Sequence, residues 1–341
     1  MSYDGAGQVK ALVTGGGGFL GRKIVEQLLH RGWSVRVLCR SRPASLEALP
    51  VEIVLGDICD RQSAAAACDG IEVVFHVAGV AGLGGSWQRY YRANTLGTVN
   101  VLEACQRQRV GRLVYTSSPS VTFDGTDQCA VDESAPYPKR WLAHYPRSKA
   151  LAEQMVLAAN GHNGLLTCAL RPHLIWGPGD RQLIPRLLQR ARSGRLRRVG
   201  DGRNLIDTVY VDNAARAHLL AADALSPGSP AAGSAYFITQ GQPVNCWQWI
   251  DQILALAGLP PVRRSMTLKM AWRIGLVLEL LYALLRIDSD PPMTRFLAAQ
   301  LGTSHYYNIS RARRDLGYQP EISTAEGMQR LAQELAVHNR Q

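Results

Sequence analysis

The sequence lacks the marks of several protein classes. Its seven cysteines (Cys39, Cys59, Cys68, Cys105, Cys129, Cys168 and Cys246) are scattered, odd in number and never in a Cys-x-x-Cys pair. That argues against a disulfide framework or a zinc site and fits reduced thiols in the cytoplasm, so no metal is expected. No apolar stretch reaches the ~18 residues of a spanning helix. The most apolar long segment, 267–286, is broken by Lys269, Arg273, Glu279 and Arg286. Acids are scarce: 27 Asp and Glu stand against 38 Lys and Arg, a formal net charge of +11. Such an excess suits nucleic acid, an anionic membrane surface, or an anionic substrate and cofactor. The arginines gather at 186–203, 263–264 and 311–314 with no interleaved aromatic platform and no nucleic-acid motif, so nucleic acid is not expected as a partner. There is no internal repeat and no low-complexity stretch, and 226–233 is a Pro/Gly/Ser loop. Residues 1–10 are short and polar and run straight into a strand, unlike a secretory signal.

What is present is a regular alternation. An apolar run at 11–13 leads into a glycine cluster. The spacing then predicts a helix over Phe19–His30, with Ile24, Val25, Leu28 and Leu29 inward. Further strands are expected at Ser34–Cys39, Glu52–Leu55, Val73–His76, 113–116, 166–171 and 235–238, with helical patterns at 94–107, 148–159, 181–194 and 246–257. Strands alternating with helices predict an α/β fold with a doubly wound, parallel sheet. The length of 341 residues and the 46% apolar content allow two domains, or one large domain with an appendage. The expected division is a dinucleotide-binding part at 1–180, to which 205–240 returns, and a substrate-binding region at 181–204 and 241–341. The latter includes an amphipathic segment at 266–287. At ~100° per residue, the four charges of 267–286 fall within an arc of about 140°. Its broad apolar face has two readings: packing on the substrate region, or docking on a membrane surface aided by Trp272 and Tyr282.

Thr14-Gly15-Gly16-Gly17-Gly18-Phe19-Leu20-Gly21 follows a strand and opens a helix, with Gly15, Gly18 and Gly21 in the spacing of a dinucleotide turn. Glycine allows the tight turn and lets the backbone approach a pyrophosphate at the helix N-terminus. The plain alternative is a strand–helix turn without ligand. An acid ~20 residues on would hold a ribose 2′-hydroxyl, whereas arginine suits a 2′-phosphate. Cys39-Arg40-Ser41-Arg42 stands at that place. Arg40 and Arg42 therefore favour NADP, with NAD the alternative, unless the two are a solvated basic edge. In Gly56-Asp57-Ile58, the Asp57 carboxylate is placed either to accept from the adenine amino group or to cap a helix.

Tyr145 and Lys149 are about one helical turn apart and share a face. A lysine beside a phenol is expected to lower its pKa and allow proton exchange near neutral pH. Pro146 suits a first helical turn, which sets Tyr145 at the helix mouth. Thr116-Ser117-Ser118 ends a strand, either as a simple boundary or as the source of a second hydroxyl for a substrate oxygen. Two hydrogen bonds to that oxygen, with hydride exchanged at a nicotinamide, need no metal.

These motifs, with His76-Val77-Ala78-Gly79 and Asn94-Thr95-Leu96-Gly97-Thr98, occur in the order of the extended short-chain dehydrogenase/reductase superfamily, which the chain resembles over nearly its whole length. Within it the chain resembles the 3β-hydroxysteroid dehydrogenase branch, through Leu170-Arg171-Pro172-His173-Leu174-Ile175-Trp176-Gly177-Pro178-Gly179-Asp180. Gly200-Asp201-Gly202-Arg203, Tyr210-Val211-Asp212-Asn213 and the tail from His305 to Pro320 add to the likeness. The resemblance implies Tyr145 as proton donor or acceptor. It implies Lys149 on the nicotinamide ribose, and Ser118, with Ser117 as fallback, orienting the substrate oxygen. It further implies Asn94 supporting a relay near Lys149, Pro172 and His173 at the nicotinamide end, and Phe19, Leu20, Ile58 and Ala78 among the cofactor contacts. Two kinds of relative share these marks: sterol-4α-carboxylate 3-dehydrogenases and 2-alkyl-3-oxoalkanoate reductases. The implied substrate is a sterol or a long-chain β-keto or β-hydroxy acid, with the sterol reading placed first. A homodimer is expected. The competing reading is a dinucleotide-binding sensor without catalysis.

Overall fold

The computed structural model describes residues 8–338. Residues 1–7 of the polar N-terminal stretch and 339–341 of the C-terminal region lie outside them. The first half of the chain runs β1 (Lys10–Thr14), α1 (Phe19–His30), β2 (Ser34–Cys39), β3 (Glu52–Leu55), α2 (Arg61–Cys68), β4 (Val73–His76), α3 (Trp87–Tyr90) and α4 (Gly97–Arg107). It continues through β5 (Arg112–Thr116), β6 (Gln128–Val131), α5 (His144–Ala158) and β7 (Leu166–Pro172). After these come β8 (Ile175–Trp176), α6 (Leu183–Arg192), β9 (Arg198–Val199), β10 (Leu205–Ile206), β11 (Val209–Tyr210), α7 (Val211–Ala224) and β12 (Ser234–Ile238). The chain then forms β13 (Val244–Asn245), α8 (Cys246–Leu256), β14 (Ser265–Met266), α9 (Leu268–Leu284), α10 (Arg295–Gly302) and β15 (His305–Tyr307). Two more helices, Ser310–Leu316 and Thr324–His338, close the chain.

Seven parallel strands form one sheet in the order β12-β7-β5-β4-β1-β2-β3. The chain winds outward from β1 in both directions, so the expected doubly wound sheet is present. Its central strands are apolar through their middle positions because both faces are covered. Ala11 and Val13 join the core on one side and Leu12 the core on the other; Val73 and Phe75 divide from Val74 in the same way. α1 packs against α7, and α2 packs against α4. A smaller sheet, β13-β10-β15-β6, joins segments from distant parts of the chain.

Two expected helices start elsewhere than their patterns suggest. The helix expected from Ser148 begins at His144, so Tyr145 lies inside its first turn. The helix expected from Asn94 opens as a π-helical turn, Tyr91–Leu96, before α4. The amphipathic segment forms α9, but it buries only Ala271 and Gly275. Gly275 lies so close to the start of α10 that a Cβ there would sit 2.5 Å from the Thr294 carbonyl carbon. Most of the apolar stripe faces outward: Val277 is 54% exposed, Leu280 62% and Leu284 78%. Packing therefore accounts for one narrow face of α9. No helix among the described residues is long and apolar enough to cross a membrane.

Candidate active site

The glycine turn builds the first wall of a cleft of about 760 Å³ along the carboxyl ends of β1, β2 and β4. Gly15 has φ +72°, and a Cβ on it would meet the Ala78 backbone at 2.9 Å. A Cβ on Gly21 would lie 2.2 Å from the Gly15 carbonyl oxygen. Glycine is thus the residue these contacts admit. Gly18 precedes α1 and no side chain caps the helix, which leaves its first-turn amides facing the cleft with the positive end of the helix dipole. The wall also holds Phe19, Leu20, Arg40, Asp57, Ile58 and Ala78. Cradle, volume and charge fit a dinucleotide, whose pyrophosphate the Gly15–Gly21 backbone would hold.

The other anticipated cofactor residues divide. Arg42 is exposed beside Cys39 and is absent from the wall. Asp57 does not cap α2: Asp60 does, accepting from the Gln62 and Ser63 amides, while Asp57 accepts from Cys59 N at 2.9 Å. Pro172 and His173 are buried and line no part of this cleft. The His173 ring packs edge-on to His305 and Tyr307, with its Nε2 3.2 Å from His305 Nδ1. Two charged wall residues escaped the sequence reading, Arg89 and Arg92. Their only signal was a spacing of three in a helical stretch. With Arg40 they set three cations against the Asp57 carboxylate, a balance suited to phosphates.

The residues expected to handle the proton lie at the end of β5 and the start of α5. Ser118 Oγ lies 2.8 Å from Ser120 Oγ and is near enough to the Tyr145 phenol to lower its pKa. Ser117, the fallback, instead has a buried hydroxyl without a partner among the described residues. Lys149 does not address the phenol. It donates to the Thr116 carbonyl at 2.5 Å and sits 4.1 Å over the centre of the Tyr115 ring. The expected lowering of the phenol's pKa is therefore reversed: burial pushes Tyr145 up, and the Ser118 hydroxyl offsets part of that. It is Lys149 that burial shifts, down to about 7, against the opposing charge of Glu153.

Asn94 occupies the π turn, and the wider turn explains its reach. Its Oδ1 accepts from Val80 N at 2.7 Å, and its Nδ2 donates to Val80 O and Ser148 Oγ at 2.9 Å each. Ser148 in turn donates to the Tyr145 carbonyl, at 2.8 Å. One amide thus ties the loop after β4 to the helix that carries Tyr145 and Lys149. Behind it, Thr14 Oγ1 and Thr98 Oγ1 flank the His76 ring at 2.7 and 2.9 Å. Burial holds that ring near a pKa of about 3, so it is a neutral strut from the glycine turn to α4.

A second cleft, about 970 Å³, opens on the far side of the 83–86 loop. Its walls include Trp141, Leu142, Ala143 and His144 just before Tyr145, and Tyr282, Ala283, Arg286 and Ile287 at the end of α9. Among the described residues, no group of three or more His, Cys, Asp or Glu could hold a metal ion.

A glycine cradle for a dinucleotide beside a Ser–Tyr–Lys constellation defines an NAD(P)-dependent oxidoreductase acting on hydroxyl or keto groups. The chain belongs to the 3-beta hydroxysteroid dehydrogenase/isomerase family, whose model matches residues 12–269. A 2-alkyl-3-oxoalkanoate reductase of Stenotrophomonas maltophilia is 50% identical over 95% of this chain and 98% of its own. A decarboxylating sterol-4-alpha-carboxylate 3-dehydrogenase of Mus musculus is 35% identical over 95% of this chain and 90% of its own. Among solved structures, MoeE5 in complex with UDP-glucose and NAD matches with a TM-score of 0.73 at 26% identity, covering 97% of this chain and 100% of that one.

Proposed function

We propose that the protein reduces the C3 ketone of a 2-alkyl-3-oxoalkanoate with NADPH. The observation that carries this reading is the 50% identity, across nearly both full lengths, to a reductase of that name. It reverses the order anticipated from the sequence, where the sterol substrate stood first: the sterol relative is 35% identical. The cofactor half (1–180 with 205–240) holds the dinucleotide cleft, and the second cleft lies between its 83–86 and 139–147 stretches and residues 279–295 of the substrate half (181–204 and 241–341).

In this reading, the bound dinucleotide supplies hydride to C3. Ser118 and Tyr145 donate hydrogen bonds to the C3 oxygen, which gains negative charge as the carbonyl is reduced. Tyr145 then passes its proton to that oxygen, giving the 3-hydroxy acid. A phenol raised by burial favours the protonated form that a reductase needs at the start of each cycle. Lys149 and Asn94 hold the ribose side and the tyrosine helix in register. Arg40, on the cleft wall at the end of β2, takes the 2′-phosphate.

The apolar face of α9 lies beside exposed Lys269, Arg273 and Arg286, and the same helix end forms part of the substrate cleft. We infer that this face rests on an anionic lipid surface, from which a two-tailed acid enters the cleft. A homodimer is the proposed assembly, to be read from its solution mass.

The test of the activity is turnover of purified protein with a 2-alkyl-3-oxoalkanoate and, in the oxidative direction, with a 4-carboxysterol, each with both cofactors. Turnover of the sterol alone would overturn the reading. For the surface, wild-type protein should float with anionic vesicles and Leu280→Asp/Leu284→Asp protein should not. Failure of the wild type to bind any vesicle would end that idea.

A further inference from the structure

Segment 288–292, which follows α9, meets the 82–85 loop after β4 in a contact built for glycine. A Cβ on Gly84 would lie 2.5 Å from Pro291 Cδ and 2.8 Å from the Ser289 carbonyl oxygen. A Cβ on Gly82, where φ is +159°, would lie 2.6 Å from the Tyr90 hydroxyl. Into this contact Asp290 directs one carboxylate oxygen, Oδ1, which accepts from two successive amides, Leu83 N at 3.0 Å and Gly84 N at 2.9 Å. Its Oδ2 faces Arg186 of α6 at 3.1 Å. One turn along α6, Arg190 donates to the Pro292 carbonyl at 2.9 Å. Two residues of α6 thus hold the segment in place from behind.

The loop held by Asp290 is tied in turn to the reacting group. The Tyr90 hydroxyl donates to the Gly84 carbonyl at 2.6 Å, and the Tyr90 ring meets the Tyr145 ring edge-on with centres 6.4 Å apart. Burial, first, and then the Asp290 charge push the Tyr90 phenol up to about 12, so it remains a donor throughout the working range. A chain of direct contacts therefore runs from the segment beyond α9 to the Gly84 peptide, to Tyr90 and to Tyr145. The loop at its middle separates the two clefts: Val80 lines one and Leu83 to Ser86 line the other.

We propose that Asp290 is a positioning residue for the ketone-reducing site. Its carboxylate fixes the 82–85 loop and, through Tyr90, the plane in which Tyr145 meets the substrate oxygen. This rests on the reading of Tyr145 as proton donor. A carboxylate that accepts from two partly buried amides cannot be removed without leaving both amides short of an acceptor. The loop would then relax on the substrate side, whereas the glycine cradle on the other side shares no contact with Asp290.

Asp290→Ala should raise KM for a 2-alkyl-3-oxoalkanoate about tenfold and lower kcat, while the Kd of NADPH, read by fluorescence titration, stays at the wild-type value. Asp290→Asn keeps an acceptor oxygen for the two amides and should recover most of the loss. Tyr90→Phe should reproduce the pattern and add little to Asp290→Ala in the double variant, because both break one chain of contacts. The Tyr145 limb of the kcat–pH profile should move in Asp290→Ala. Wild-type kinetics in Asp290→Ala, an equal loss of NADPH binding, or additive effects in the double variant would each overturn the proposal. Should Asp290→Ala fail to fold, Tyr90→Phe alone carries the same test. Retained turnover in Tyr145→Phe would sink the donor reading itself; an inactive Tyr145→Phe beside an unaffected Asp290→Ala would sink only the positioning role.

Discussion

The two clefts are similar in volume, about 760 and 970 Å³, yet they are made differently. The dinucleotide cleft is built around a backbone turn, its glycines packed against one another and against Ala78. The second cleft, the proposed substrate site, draws on large side chains, with Arg140, Trp141, Arg147, Glu279, Tyr282 and Arg286 taken from separate stretches. A backbone site recognises what every member of a fold class binds. A side-chain site can change its ligand without disturbing the sheet beneath it. On the proposed reading, the comparison separates two roles: the chemistry is set at the seam between the clefts, and the substrate is chosen in the second cleft, beside the end of α9.

Three experiments would break or sharpen that division. The largest effect is expected for Tyr145→Phe, on the seam. Turnover should fall by about 10²–10⁴ while NADPH binding is retained, as measured by steady-state kinetics beside cofactor titration. Undiminished turnover would move the proton-transfer role elsewhere. Next, Arg40→Ala, which removes one of the three arginines of the dinucleotide cleft, should weaken NADPH about tenfold and leave NADH nearly unchanged. Equal losses of the two cofactors would dissociate Arg40 from the 2′-phosphate.

The smallest effect concerns stability. Burial takes Lys149 from an ordinary 10.5 down to about 7. Between those values the unfolded chain binds the proton and the folded chain does not, so folding is disfavoured most below pH 7 and the penalty fades as pH rises toward 10.5. Lys149→Met should therefore raise Tm more at pH 6 than at pH 10 in cofactor-free protein. The same gain at both values would mean that the lysine bears no buried-charge penalty.

The same contrast governs what could be read from the sequence. β1 and β4 were legible because both faces of each strand are buried, leaving unmistakable apolar runs bounded by Gly15 and Gly79. Gly15 and Gly21 were legible from their strand–turn–helix spacing and Tyr145 from Pro146 and the helical stretch after it, whereas Ser118 rested on the likeness to the short-chain dehydrogenase/reductase superfamily. Asp57 was misjudged as a possible cap because Asp60, three residues on, competes for that role and wins by its hydrogen bonds to Gln62 and Ser63. Lys149 was given the wrong neighbour: sharing a helical face with Tyr145 said nothing of the Thr116 carbonyl, which belongs to β5. Asp290 had no signal at all, since its amide partners lie more than 200 residues upstream, 207 and 206 positions away. The outward stripe of α9 was visible as a pattern, but only the structure reveals that packing takes Ala271 and Gly275 and leaves Leu280 and Leu284 in the open.

The π turn at Tyr91–Leu96 also makes this stretch of chain intolerant of a length change. A turn closed by i→i+5 bonds holds one residue more than its α-helical equivalent. Removing any single residue between Arg92 and Leu96 would let the stretch close as a regular α-helix, with Gly97–Arg107 keeping roughly its present face because the wide turn absorbs one residue. Asn94 would then leave Val80 and Ser148, and a shorter, smoother chain would be the less active one. In this segment the helix gains regularity only by giving up the bonds that Asn94 makes to Val80 and Ser148.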